Sequence, residues 1–346
     1  MIIDTRDPFG FNKRVYHPRS GASAETIHAL LRDHSLSAGE PDSTAIAGFL
    51  SGRRLIGRTL LQDVLALPPG HTLLSSPQGF VVNAVPDEAR RGDLHQLLRA
   101  SLQIALDSGK RVALALSGGL DSALLLVLLR AIGDQDVPVY ILAVDLPDYS
   151  ELDAALDTAH RWGVEPIVVE TGEADFVAAL PEAIRHVEEP LFNLHPVAKL
   201  LLAKAMHRDG IELAISGDGA DQVLNRDRSA NYLPLCKALF DAVSVELHAP
   251  FLDPAVVAHL FSLPPDPAKQ CLRDLADTLH LRAQLVRGPK RSRLAPPMAL
   301  GPLLDKTRIA TLASRLQLPA PGLHDDAERV LWTTLLLALD QLGVTV

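Results

Sequence analysis

Two short runs in this chain combine glycine, hydroxyl and carboxylate groups in a pattern suited to phosphate chemistry. They are Ser117-Gly118-Gly119-Leu120-Asp121-Ser122 and Ser216-Gly217-Asp218-Gly219-Ala220-Asp221. In the first, two glycines let the backbone approach a ligand closely, and successive N–H groups form a nest for an anion. Ser117 and Ser122 add hydroxyl donors. The run has neither the GxxxxGK[ST] spacing of a Walker loop nor GxGxxG, which argues against a dinucleotide dehydrogenase. Asp121 beside such a cradle would repel phosphate unless a divalent cation lay between them, and Mg²⁺ takes one or two carboxylates together with phosphate oxygens. That predicts a second acid from a neighbouring loop, and the 216–221 run supplies one. A tight turn capped by Asp and Ser is the competing explanation; it suits SGG alone better than the full SGGLDS.

Both runs must then sit at strand ends, and the flanking pattern puts them there. An apolar run over 111–117 leads into the first, and another over 211–216 leads into the second. Between them the sequence predicts a helix at 121–131, a strand at 137–144, a helix at 151–162, a strand at 165–169, and helices at 174–186 and 196–208. Strands apolar on both faces that alternate with helices imply a parallel sheet covered on both sides. Ligands of such sheets bind at the carboxyl ends of the strands, so both loops would face one crevice. A helix at 93–106 precedes this unit, and beyond Asp253 the chain reads mostly as helix broken by prolines. Residues 1–85 read as short strands and turns, with a short helix at 44–50 and a hairpin around Ser76-Pro77-Gln78-Gly79. This is too little to close a β core alone, so the region is expected to pack on the remainder.

Composition narrows the function classes. The chain has 346 residues, 47% of them apolar and 22% charged, which fits a soluble globular protein of about two domains. Lys and Arg number 33 against 42 Asp and Glu, a formal charge of −9 without a basic stripe, so nucleic acid is not an expected partner. The most basic stretch, 282–293, could equally be a local phosphate site. The start, MIIDTRDPFG, lacks the features of a signal peptide, and runs such as 124–129 are too short to span a membrane. Cys236 and Cys271 form no CxxC pair, and the 13 histidines show no HxH or HxxxH pairing, so neither a disulfide framework nor a zinc site is expected. A cytoplasmic location follows from these readings as an expectation. His195, before a proline at a helix start, reads as structural.

Further motifs follow the two loops in order. They are Val245-Glu246-Leu247-His248-Ala249-Pro250-Phe251-Leu252-Asp253, Lys269-Gln270-Cys271-Leu272-Arg273 and Arg287-Gly288-Pro289-Lys290. With SGGLDS and SGDGAD, they resemble five ordered signatures of the synthetase half of asparagine synthetases and their relatives, the β-lactam synthetases and lasso-peptide cyclases. The likeness runs from about residue 95 to 300. It implies a doubly wound parallel α/β sheet of the ATP-pyrophosphatase (adenine nucleotide α-hydrolase-like) type, a helical C-terminal part and a small β-rich N-terminal remnant. Residues 91–346 would form the ATP-binding synthetase domain. Residues 1–90, with Asp4-Thr-Arg-Asp-Pro-Phe-Gly10 and Leu67-Pro-Pro-Gly-His71, look like the second half of the family's glutaminase domain. The first half has no counterpart, position 2 is Ile rather than a nucleophilic cysteine, and glutamine hydrolysis is not expected. Two departures stand out: Gln222-Val-Leu-Asn225 replaces the family's E-x-F-G-G, and the stretch from Asp221 to Glu246 is short, which implies a remodelled acceptor pocket.

The resemblance implies that a substrate carboxylate attacks the α-phosphate of ATP, giving an acyl-adenylate and pyrophosphate, after which an amine takes the acyl group and AMP leaves. Ser117, Gly118, Gly119 and Ser122 would hold the pyrophosphate, with Ser216 and Gly217 on the facing loop and backbone near Leu116 and Val144 framing adenine. Asp121 and Asp221 would hold Mg²⁺. Lys290 would neutralise phosphate and oxyanion charge, unless it is part of a solvated basic patch. Asp218 would position or deprotonate the amine, or cap its loop; Glu246 would orient the crevice or pair with Arg273. Tyr232 and His248 are weaker candidates for amine deprotonation.

The expected partner is a small molecule or peptide bearing carboxylate and amine, as in ring closure or ligation in specialised metabolism. Ammonia, a partner subunit or second copy covering the N-terminal region, and a non-catalytic nucleotide-fold partner are the alternatives. A tRNA-modifying enzyme would need a basic surface and reactive cysteines.

Overall fold

The computed structural model describes the chain except residues 78, 134–136, 146–150, 230–231, 282–297, 299 and 345–346. The N-terminal part holds β1 (Ile2–Thr5), β2 (Val15–Tyr16), β3 (Ser23–Ala24), α1 (Ile27–Asp33), α2 (Ser43–Leu50), β4 (Leu65–Ala66), β5 (His71–Ser76) and β6 (Gly79–Ala84). Strands β5 and β6 form the expected hairpin, with Ser76 paired to Gly79 and β1 antiparallel on the other side of β5. A second small sheet has the order β3-β2-β4.

The central unit alternates α3 (Leu94–Leu106), β7 (Val112–Ala115), α4 (Leu120–Ile132), β8 (Val139–Val144), α5 (Leu152–Arg161), β9 (Ile167–Thr171), α6 (Glu173–Val187), α7 (His195–Arg208) and β10 (Leu213–Ser216). Then come α8 (Ala220–Asn225), α9 (Tyr232–Asp241), β11 (Glu246–His248), α10 (Pro254–Phe261), α11 (Gln270–Thr278), α12 (Lys306–Arg315) and α13 (Asp326–Gln341). The five strands lie in the order β11-β10-β7-β8-β9, and every pairing is parallel.

The period-2 alternation of a strand explains how both faces are covered. Val112, Leu114, Val139, Ile141, Leu213 and Ile215 point into one core with α3, α4, α10 and α11. Ala113, Ala115, Tyr140 and Ala214 point to the opposite core, formed with α7 and α9. Small alanines on that face let the helices approach closely, while leucine and valine fill the other. This is the α/β doubly wound parallel sheet read from the sequence.

A third core joins the N-terminal part to the rest. Ile27, Leu30, Ile46, Phe49, Leu60 and Leu61 pack with Phe176, Leu180 and Ile184 of α6 and with Trp332, Leu335 and Leu339 of α13. The N-terminal strands have only a small core of their own, Tyr16, Leu67 and Leu73. Polar groups reinforce the seam. The buried carboxylate of Glu188 accepts from Ile27 N (2.6 Å), His28 N (2.9 Å) and His28 Nδ1 (2.6 Å), while Lys13 Nζ lies 3.4 Å away. The link at 90–92 is strapped to α10, with Arg90 N donating to Ala258 O and Gly92 N to His259 Nδ1. Among the described residues, no helix is long and apolar enough to cross a membrane.

Candidate active site

The strand order decides where the two glycine loops meet. From β7 the chain winds outward through β8 and β9, then returns to the other side of β7 to add β10 and β11. The reversal lies between β7 and β10, whose carboxyl ends carry 117–122 and 216–221. Crevices of open α/β sheets form at such a switch point. The loops touch: a Cβ on Gly217 would lie 2.9 Å from Ser122 N and 3.1 Å from Asp121 Cβ. Gly219 has φ +95°, and a Cβ there would strike Leu252 at 2.5 Å. Both glycines are therefore required by position.

Ser117 and Ser122 build the first loop. Ser122 Oγ accepts from Ser117 N at 3.0 Å and lies 3.0 Å from Ser117 Oγ, which in turn accepts from Gly119 N at 3.2 Å. Gly119 is the N-cap of α4 and offers no side chain to its amides. The positive end of this 13-residue helix therefore faces the crevice, a setting suited to phosphate. The hollow beyond the loops is lined by Leu116, Ile141, Leu142, Ala198 and Leu202, with Ser117, Gly118, Ser216 and Gly217 at its polar side. Val144 ends β8 but is buried in the neighbouring core, and Ile141 and Leu142 are the β8 residues that line the hollow.

Asp121 and Asp221 converge on one cation, the ammonium of Lys269. Its Nζ lies 2.6 Å from Asp121 Oδ2 and 2.9 Å from Asp221 Oδ1. Burial disfavours the charge on Lys269, but the two carboxylates outweigh it and its pKa is raised. Two carboxylates from adjacent loops that close on one cation, beside a helix N-terminus, are a donor set that fits Mg²⁺ with phosphate oxygens. Among the described residues there is no cluster of three or more His, Cys, Asp or Glu able to hold a metal unaided.

A second ion pair lies deeper. Asp218 Oδ2 is 2.7 Å from Lys199 Nζ and accepts from Ser216 Oγ at 2.6 Å. Burial pushes the Asp218 carboxyl up, yet Lys199 and Ser216 outweigh it and its pKa falls. A carboxylate whose ionised form is favoured by Lys199 and Ser216 is a poorer proton acceptor than a free one. Tyr232 and His195 also line the hollow, with rings stacked at 5.1 Å. His195, read as structural, thus begins α7 and borders the crevice.

Other candidates lie elsewhere. Glu246 starts β11 opposite Leu213, three residues or about 10 Å of strand from Ser216, so it sits towards the other end of the sheet. It pairs with Lys110, whereas Arg273 donates to Ala268 O. His248 is tied to α3 through Ser101 Oγ (3.0 Å) and Ser101 O (3.1 Å). Lys290, with the rest of Arg287-Gly288-Pro289-Lys290, lies outside the described residues. Sequence reasoning assigned no role to Lys269 or Lys199. Lys269 stood in a quoted motif, whereas Lys199 lies within a helix with nothing in the sequence to single it out.

Residues 93–226 match the asparagine synthase family. The chain is thus similar to that family over 134 of its 346 residues. It is 30% identical over 199 residues to "Amidase chyE" of Penicillium rubens, covering 49% of this chain and 30% of that protein. It is 23% identical over 238 residues to "Asparagine synthetase [glutamine-hydrolyzing] 1" of Bacillus subtilis, covering 64% of this chain and 37% of that one. The chain thus spans about a third of the length of these curated relatives. Among solved structures, an NMN synthetase from Francisella tularensis overlays 72% of this chain and 91% of its own, at 12% identity and a TM-score of 0.38.

Proposed function

We propose that the chain is an AMP- and pyrophosphate-forming amide synthetase that adenylates a substrate carboxylate and joins it to an amine. The observation that carries this reading is the convergence of Asp121 and Asp221, from the two switch-point loops, on one cation position. The apolar lining with Leu116, Ile141 and Leu142 suits the faces of a purine, and the α4 N-terminus suits the phosphates. A substrate carboxylate oxygen attacks the α-phosphorus of ATP, and pyrophosphate leaves towards Ser117, Gly118, Gly119 and Ser122. An amine then attacks the acyl carbon, AMP leaves, and the amine loses a proton. Mg²⁺ held by Asp121 and Asp221 would offset the charge of the phosphates. Asp218, held ionised by Lys199, would orient the amine by charge rather than take its proton. Lys290 remains our candidate for offsetting charge on the phosphates and the oxyanion.

The reaction is proposed to run without glutamine hydrolysis in this chain. Cys236 is fully buried, and burial drives its thiol pKa well upward. Burial and Asp266 push Cys271 up to about 12. Neither thiol is an activated nucleophile. The amine would then come from the substrate itself, as in ring closure, or from a second small molecule.

The test is carboxylate-dependent exchange of labelled pyrophosphate into ATP across amino acids, peptides and metabolite fractions. Exchange with one fraction, reduced by on the order of 100-fold or more in Asp121→Asn, is the expected result. ATP binding without exchange across the whole panel would overturn the reading.

A further inference from the structure

The ion pair between the loops bears on how a metal enters, an inference that rests on reading the hollow as a metal–nucleotide site. Two carboxylates directed at one point repel each other unless a cation lies between them. Here that cation belongs to the chain. Lys269 Nζ touches both Asp121 Oδ2 and Asp221 Oδ1, and the lysine side chain is only 10% exposed. The backbone that delivers it is strained. Lys269 has φ +54°, a left-handed conformation uncommon for lysine, and is held there by its own N–H on Asp266 O at 3.0 Å. Strain of this kind persists where the surrounding structure over-determines it, often at functional sites. The ammonium occupies the position that a divalent cation bridging the same oxygens would need.

We propose that Lys269 is a displaceable counter-ion. Its ammonium keeps Asp121 and Asp221 assembled and closes them to free divalent cations. It yields the position only to a metal that arrives with nucleotide phosphates, whose oxygens give the ammonium a new partner. A bare metal would have to sit against the ammonium or drive it off with nothing to receive it. A metal–nucleotide complex meets neither obstacle. The order of loading, nucleotide and metal together, is then set by one side chain.

The experiment measures Mn²⁺ binding to the full chain by the EPR signal of the free ion, with and without a non-hydrolysable ATP analogue. Without nucleotide, Lys269→Met should bind Mn²⁺ at least about tenfold more tightly than the natural chain, because an opposing charge has been removed at close range. Lys269→Arg should stay as weak as the natural chain, and Asp121→Asn combined with Lys269→Met should lose the gain. With the analogue, the natural chain should bind Mn²⁺ at least about tenfold more tightly than without it. Circular dichroism checks folding; Lys269→Gly, which suits the positive φ, is the second variant and should show the same gain. Equal nucleotide-free binding in the natural chain and the folded neutral variant would overturn the proposal. Pyrophosphate exchange separates the two readings: exchange without a gain in Mn²⁺ binding removes the counter-ion alone. A gain with no exchange removes the adenylation reading and leaves the counter-ion in place.

Discussion

Two pairs of sequence-distant segments meet in this molecule and treat their charges in opposite ways. Where residues 4–10 meet 67–71, the buried Arg6 donates from Nε to Asn12 O (3.0 Å), from Nη1 to Leu67 O (2.7 Å) and from Nη2 to Gly10 O (2.9 Å). Beside it, Asp7 accepts from the amides of Phe9, Phe11 and Asn12. These partners are backbone groups, which cannot be exchanged without moving the chain. Where 117–122 meets 216–221, Asp121 and Asp221 meet a side-chain ammonium, which can leave by rotating about its own bonds. The first cluster closes a structure. The second holds charge in readiness for a ligand. Motifs of similar polarity thus differ in what they bond to, and that difference separates a structural knot from a site.

The sharpest test of this contrast is Arg6→Met. It takes the guanidinium donors from the buried carbonyls of Leu67 and Gly10 and the half-buried carbonyl of Asn12 and should cost about 3–5 kcal/mol in chemical denaturation, with little change in nucleotide affinity for the fraction that folds. A loss below about 1 kcal/mol would break the comparison.

The seam at Glu188 should behave like the knot. Burial pushes its carboxyl up, but Lys13 and the donors of His28 and Ile27 outweigh it, and its pKa falls from 4.5 to about 2. Glu188→Gln should therefore cost about 3 kcal/mol near neutral pH. The natural chain should keep this contribution above pH 4.5 and lose it as pH falls towards about 2. His28 adds the opposite slope. Its Nδ1 meets the Glu188 carboxylate and its Nε2 meets Gln341 O at 2.9 Å, so the ring makes both bonds only when doubly protonated. The hydrogen bond to Glu188 leads in raising its pKa above 6.5. The His28 contribution is complete below pH 6.5 and fades as pH rises through the raised value. Denaturation midpoints across pH should thus be highest between 4.5 and 6.5, and His28→Gln should remove the decline on the alkaline side.

Smaller effects are expected in the loops. Ser122→Ala removes the acceptor of Ser117 N and should cost about 1 kcal/mol, with a parallel loss in ATP affinity. Asp221→Asn should change stability by less than about 1 kcal/mol, since Asp221 is partly exposed and Lys269 keeps Asp121. If Asp221→Asn destabilised the fold as strongly as Arg6→Met, the crevice would be a structural knot as well.

Much of this was legible in the sequence because it is local. Buried strands such as Val112–Ala115 and Leu213–Ser216 carry their apolar character in neighbouring residues. Helix starts carry their caps, as Asp93 accepts from Gln96 N before α3. The glycines of 117–122 and 216–221 mark close approach wherever the chain goes. Strand β11 was less legible, since its three residues give too little pattern to tell which end of the sheet Glu246 would occupy. Helix α6 was read correctly through Pro181, whose place in the helix the apolar spacing outweighed.

The sequence by itself determined the α/β class, the two phosphate-suited loops and the acids they carry, because periodicity and glycine spacing act over a few residues. Only the tertiary structure decided that β10 would lie beside β7, bringing those loops into contact. It also delivered Lys269 from 148 residues beyond Asp121 and paired Lys199 with Asp218. These outcomes depend on crossovers whose end points are chosen by the packing of whole helices on the sheet. Local sequence can place a carboxylate at the end of a strand, but its partner is set by which other strand or helix comes to rest beside it.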